Sequence, residues 1–318
     1  MSFSLADLLS DTAPQAVEAL SLDGEWLQHH GYERLEAWPD FEGWTHLAEL
    51  SLAGNALAEA CFSTPWPSLQ RLDLSENQLE HTAGWEHLFR LQHLDLAHNL
   101  LTTWPDLGKN EQLQHLNLSH NALGNPPSQR LPANLRWLAL SGNRRIKSLA
   151  ALAGHTKLEA LFIKQLRLED YTFLAALPQL QELYFSPIRP EDLTQLTHFQ
   201  GLTTLHVSLN LLGTAAELPP MPSLRRLTLT RAEQPWASPL AGLDQLEELH
   251  LTGNQWEQWP PMHLPKLTHL SARRNLLREL PDLQALPQLQ VLDLRNNPLS
   301  PGVVQQAQAI KPGLSVWV

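Results

Sequence analysis

One phrase, L-x-x-L-x-L-x-x-N, opens at Leu47, Leu69, Leu91, Leu113, Leu135, Leu158, Leu180, Leu202, Leu224, Leu246, Leu267 and Leu289. The steps are 22 residues long apart from one of 23 and one of 21. Two neighbours, "LQHLDLAHN" at 91–99 and "LQHLNLSHN" at 113–121, match almost letter for letter, and "VEALSL" at 17–22 reads as a degenerate thirteenth copy. Twelve copies at a nearly fixed period constrain the fold more than any local propensity, because each repeat must find the same surroundings as the last.

The alternation within a phrase points the leucines at positions 1, 4 and 6 inward and positions 3, 5 and 7 to the opposite face. One coil cannot bury its own leucines, so neighbouring coils must stack, with parallel strands about 4.8 Å apart. Asn at position 9, as in Asn55, Asn77, Asn99 and Asn121, is polar where the chain turns inward. An amide there can satisfy backbone groups that are costly to bury unpaired. Leu166, Ile188 and Ala232 interrupt this row, which is either drift in a tolerant array or a local change of curvature.

These phrases resemble the leucine-rich-repeat family, in its short 22-residue class, over roughly residues 17–318. The resemblance implies an α/β solenoid, a right-handed horseshoe with a parallel concave sheet and short 3₁₀ or extended convex segments. It also implies an asparagine ladder and a protein-binding role. Pro39, Pro105, Pro260 and Pro281, each after a large apolar residue, suit extended connections, since proline ends helical winding. The expected organisation is one continuous domain: an N-terminal cap and degenerate repeat at 1–46, twelve repeats at 47–299, and a C-terminal cap at 300–318. "FSLADLLSD" suits a short capping helix, 23–46 an irregular loop, Ser-Pro at 300–301 a helix to about 310, and "LSVWV" a closing strand.

Composition narrows the function. No run approaches the ~18–20 apolar residues of a membrane helix, and the N-terminus lacks the basic and apolar regions of a secretory signal. Cys61 is the only cysteine, which excludes an internal disulfide and a thiolate cluster and suits a cytoplasmic location. The net charge of −11 argues against a nucleic-acid or anionic-membrane partner. Residues 1–158 carry −8 of it and residues 159–318 carry −3.

On the expected concave face, position 7 is mostly small, which either leaves room for a ligand or meets the demands of tight curvature. Position 5 carries Asp73, Asp95 and Asn117 early, then Phe162, Tyr184 and His206. With Trp137 at position 3, these rings either form a contact site or pack on one another. Glu49, Asp73, Glu76 and Asp95 make the early face acidic; Arg225, Arg226, Arg231, Arg273, Arg274 and Arg295 make the late face basic. Such a gradient suits a partner of mixed charge, although solvated charges need no partner. The candidate partner-binding residues are therefore Trp137, Phe162, Tyr184, His206, Arg226, Arg231, Arg273 and Arg274.

His93, His98, His115 and His120 fall at matched positions of two repeats, with Asp95 between. They admit a zinc site or are an echo of duplication, and the expectation is no metal and no cofactor. No phosphate loop, nucleophile elbow or metalloprotease motif occurs, so no catalytic residue is expected. The family's ubiquitin-ligase effectors carry a catalytic domain after the repeats, which is not expected here. The sequence thus points to a non-enzymatic module binding a protein partner on its concave face. A metal-dependent or catalytic role for repeats 91–121 and a secreted effector acting on host proteins are the alternatives.

Overall fold

The computed structural model describes residues 17–41, 43–127, 131–187, 189–208, 218–230, 240 and 242–318. The expected capping helix at the N-terminus, and Ile188 and Ala232 of the interrupted row, lie outside the described residues. The chain falls into two compact units, Met1–Leu158 with Gln165–Glu169, and Glu159–Lys164 with Asp170–Val318.

In the first unit the strands Ala19–Ser21, Glu49–Ser51, Arg71–Asp73, His93–Asp95, His115–Asn117 and Trp137–Ala139 pair in parallel, each with the next. The degenerate copy at 17–22 supplies the first of them. In the second unit the strands are Ala160–Ile163, Glu182–Phe185, Thr204–Ser208, Arg226–Thr230, Glu248–His250, His269–Ser271, Val291–Asp293 and Ser315–Trp317. They pair in the same way. Register follows the repeat: Leu72 lies beside Leu94, and Leu94 beside Leu116. Each unit is therefore a solenoid whose parallel sheet uses the same positions of every phrase.

The core is the stacked phrase. All side chains at positions 1, 4 and 6 of the twelve copies are at most 2% exposed, including Ile163, Phe185, Val207 and Ala272 where leucine is replaced. The connections are short or extended. 3₁₀ turns occur at Trp85–His87, Ala150–Gly154, Thr172–Ala176, Pro190–His198 and Leu283–Ala285. Two tryptophans before the expected prolines tie coil to coil: Trp104 Nε1 donates to Gly124 O at 2.8 Å and Trp259 Nε1 to Glu279 O at 2.9 Å. No helix among the described residues is long and apolar enough to cross a membrane.

The asparagines form a ladder with one repeated geometry. Asn99 Nδ2 donates to Leu74 O at 2.9 Å and Leu96 O at 3.1 Å, and its Oδ1 accepts from Leu79 N at 2.9 Å. Asn77 and Asn143 repeat these bonds one coil earlier and two coils later. Each amide thus satisfies carbonyls of two coils and one N–H. At Leu166 a buried leucine stands in that place.

The stretch 23–46 departs from the irregular loop expected of it. It opens with a helix, Gly24–His29, that buries Leu27 and absorbs part of the extra length. Gly24 N donates to Ala53 O at 2.8 Å, and a Cβ at Gly24 would lie 2.0 Å from Gly54 O, so only glycine lets the helix start against the next coil. At the other end, Ser300-Pro301 is followed by the helix Val303–Ile310, and "LSVWV" supplies the strand that pairs with Val291–Asp293.

Two substitutions test this arrangement. Leu116, fully buried, should cost roughly 2–5 kcal/mol when changed to Ala. The exposed Gln114→Ala should change the denaturation midpoint little. Asn99→Ala should cost roughly 2–4 kcal/mol, because it orphans buried carbonyls and an N–H in two coils. A midpoint as insensitive as that of Gln114→Ala would refute the ladder's role.

Candidate functional site

In-register strands turn any chemistry repeated at one position into a row. In the second unit Phe162 faces Tyr184, and Tyr184 faces His206, on three consecutive strands. Their rings stack at centroid distances of 4.4 and 5.2 Å, with interplanar angles of 24° and 23°. All three are half-buried. The rings pack on one another, and together they stand out on the sheet's solvent side. Lys164 Nζ lies 5.0 Å from the centre of the Tyr184 ring, a cation–π geometry.

Burial sets the electrostatics of this row. It lowers the Lys164 ammonium and raises the Tyr184 phenol, the latter helped by Glu182. Burial, with Lys164 and His250 nearby, pushes His206 down to about 4, so its ring is neutral at pH 7.

The arginines stand on or beside separate strands. Arg226 is exposed, between Thr204 and Glu248 in register. Arg273 and Arg274 follow the strand His269–Ser271, two strands farther along the sheet, and Arg231 lies outside the described residues. Arg225 Nη1 donates to Glu247 at 2.6 Å. Asp293 draws in Arg273 and Arg295. Arg295 donates to it at 2.9 and 2.6 Å and sits 4.9 Å from the Trp317 ring centre, while Arg273 Nε lies 3.8 Å from Asp293. Burial alone would raise the Asp293 carboxyl; the bonds from Arg295 and both arginine charges hold it below the usual range. Arg274 is exposed with a left-handed backbone, φ 53°.

Trp137 belongs to the first unit, where a second row runs at position 3. His93 stacks on His115 at 4.3 Å, and His115 on Trp137 at 6.1 Å. Beside it the position-5 side chains have a local role the sequence reading missed. Asp73 Oδ1 accepts from Ser75 N at 2.9 Å, Asp95 Oδ1 from Ala97 N at 2.8 Å, and Asn117 Oδ1 from Ser119 N at 3.1 Å. An Asp or Asn two residues before a small residue was the available signal. Within the first unit, Asp73, Asp95 and Asn117 line a groove of about 360 Å³ together with Glu49, Arg71 and the rings of His93, His115 and Trp137.

His98 and His120 stack at 4.3 Å and both adopt φ 54°, the left-handed conformation that Gly54 and Gly142 also take at position 8. The in-register coils thus bring the two histidines side by side. Among the described residues, no three His, Cys, Asp or Glu side chains group to hold a metal. A second hollow, of about 450 Å³, lies among the connections, walled by Trp38, Phe41, Trp44, Phe62 and Trp66, with exposed Cys61 on its lining. These rings meet mostly edge to face.

Comparisons with known proteins agree with this geometry. The family described as "Leucine rich repeat" matches residues 45–101, and related descriptions, "Leucine Rich repeats (2 copies)" and "Leucine Rich repeat", match 265–301 and 109–126. Over 81 residues the chain is 42% identical to "Leucine-rich repeat-containing G-protein coupled receptor 5" of Homo sapiens and of Bos taurus. That stretch is 24% of this chain and 9% of the receptors' own length. Among solved structures, an LRR protein of Leptospira interrogans is similar over 99% of this chain and 98% of its own, at 22% identity and a TM-score of 0.57. A TDR receptor is similar over 89% of this chain and 52% of its own, at 20% identity and a TM-score of 0.53. At such identities the structural likeness bears on the fold alone.

The depressed histidines make stability depend on pH with a defined sign. Burial lowers His155 as well as His206. The unfolded chain binds protons at these sites that the folded chain refuses, so stability is full above the unfolded value and falls as pH drops from about 6.5 toward about 4. Burial raises Asp95 and works in the opposite direction. Urea midpoints measured from pH 7 to pH 4.5 should fall, and His206→Gln should fall less steeply than the parent. Equal slopes would contradict the assignment to His206.

Proposed function

Taking as its premise that the chain is a leucine-rich-repeat protein, we propose a non-enzymatic module that binds a partner protein on the solvent-facing side of its parallel strands. The observation that carries this reading is the stacked row Phe162–Tyr184–His206, half-buried yet standing on an open sheet face. Aromatic side chains dominate interface hot spots because they bury large areas at low entropy cost. The row is ordered before any partner arrives, since each ring is held by the next, and so little ordering remains to oppose binding. Stacked rings present their edges, which carry partial positive charge, and Lys164 and Arg226 stand on the same face. Carboxylates of the partner meet this part of the surface, with Arg273 and Arg274 as further contacts along the sheet and Arg231 as a contact read from sequence.

The test is capture of the partner by the full chain, then measurement of its affinity. Tyr184→Ala should weaken binding at least about tenfold, mainly through faster dissociation. Arg226→Ala should instead slow association and reduce its salt dependence. Glu80→Lys, an exposed change among the connections, should leave binding intact. Binding abolished by Glu80→Lys and untouched by Tyr184→Ala and Arg226→Ala would overturn the proposal.

A further inference from the structure

The first unit's face carries different chemistry. We infer that it docks a basic segment of a partner protein, seating an arginine side chain between the ring row His93–His115–Trp137 and the carboxylates of Asp73 and Asp95. The inference rests on the reading that the strand face is the binding face, and it assigns that face's acidic portion an occupant.

Geometry comes first. The groove of about 360 Å³ is lined by rings at position 3 and by Asp73, Asp95 and Asn117 at position 5. The strand pairing places Asp73 directly beside Asp95, and Asp95 beside Asn117, so two carboxylates stand on adjacent strands. The flanking cation, Arg71, is drawn toward Glu49 at 3.5 Å. Burial raises the Asp95 carboxyl, and the charge of Asp73 adds to the rise despite bonds from Ala97 and Asn117. A cation entering the groove relieves that repulsion.

Charge and shape then select the occupant. The first unit holds −8 of the chain's −11, and Glu49 lines the same groove as the two aspartates. Burial and the neighbouring His115 and Arg71 lower His93, which favours a neutral ring beside an incoming cation. Trp137, stacked on His115, closes the row and walls the groove beside the aspartates. A guanidinium is planar and donates in a fork matched to paired carboxylates, whereas an ammonium is a tetrahedral point charge without that fork. Arginine is therefore preferred to lysine.

Peptides test this without the natural partner. A fluorescein-labelled hexa-arginine peptide, with hexa-lysine and hexa-glutamate beside it, is titrated with the full chain by anisotropy at low and physiological salt. The expected order is arginine, then lysine, with no binding of glutamate. Asp73→Asn/Asp95→Asn should weaken hexa-arginine about tenfold or more. The local fold tolerates the change, because Asn117 already makes the same turn bond at the same position. Glu80→Gln/Glu86→Gln removes two exposed charges among the connections and should change affinity less than about twofold. Should the double aspartate variant fail to fold, Asp73→Asn alone, which keeps the Asp95–Asn117 bond, should still weaken the peptide about threefold. Equal losses from the two pairs would reveal only the general negative field, and unchanged binding in the aspartate variants would show the groove empty of basic ligands; either overturns the inference. Partner capture that depends on Tyr184 while hexa-arginine ignores Asp73 and Asp95 would sink this inference and leave the broader reading standing.

Discussion

Everything in each unit depends on one constraint: a strand pairs with the next at an offset of one repeat, so like positions lie side by side. Leucine beside leucine gives a core with no separate centre, because every coil completes the one before it. Asparagine beside asparagine gives a ladder in which each amide serves two coils. The same register, applied to the opposite face, stacks imidazoles in one unit and mixed aromatics in the other. The buried rows and the solvent-facing rows therefore share one cause and differ only in which face they occupy.

That shared cause explains what the sequence made legible. Period alone located the strands, the buried leucines and the asparagines, since those roles recur in every phrase. It could not separate a charge that faces a partner from one that serves the backbone. Asp73 and Asp95 count as surface acids in a list of residues, yet each also ends its strand by binding the N–H two residues on. Asp293 escaped notice because its importance comes from Arg295, two residues on, and from Arg273, brought to it from beyond the neighbouring strand. The helix Gly24–His29 was hidden because it lies off the repeat, where periodicity gives no guidance.

The rows also bear strain. Position 8 turns through the left-handed region at Glu76, His98, His120, Gln165, Arg274 and Asn296, at a cost of about 1–2 kcal/mol for an ordinary residue. Glycine meets the same demand without that cost at Gly54, Gly142 and Gly253. The array tolerates both because the neighbouring coil fixes the turn through backbone bonds such as Glu76 N to Ala97 O and His98 N to Ser119 O.

Those inter-coil bonds have a mechanical meaning. Because each coil is held almost wholly by its neighbours, a unit pulled from one end need not give way all at once. Its last coil can peel while the rest stays packed, and the exposed coil then becomes the next to yield. Each release would lengthen the chain by one repeat, 22 residues or about 75 Å of extended backbone. Under load the molecule would pay out like a ratchet, in steps set by the spacing of its leucines.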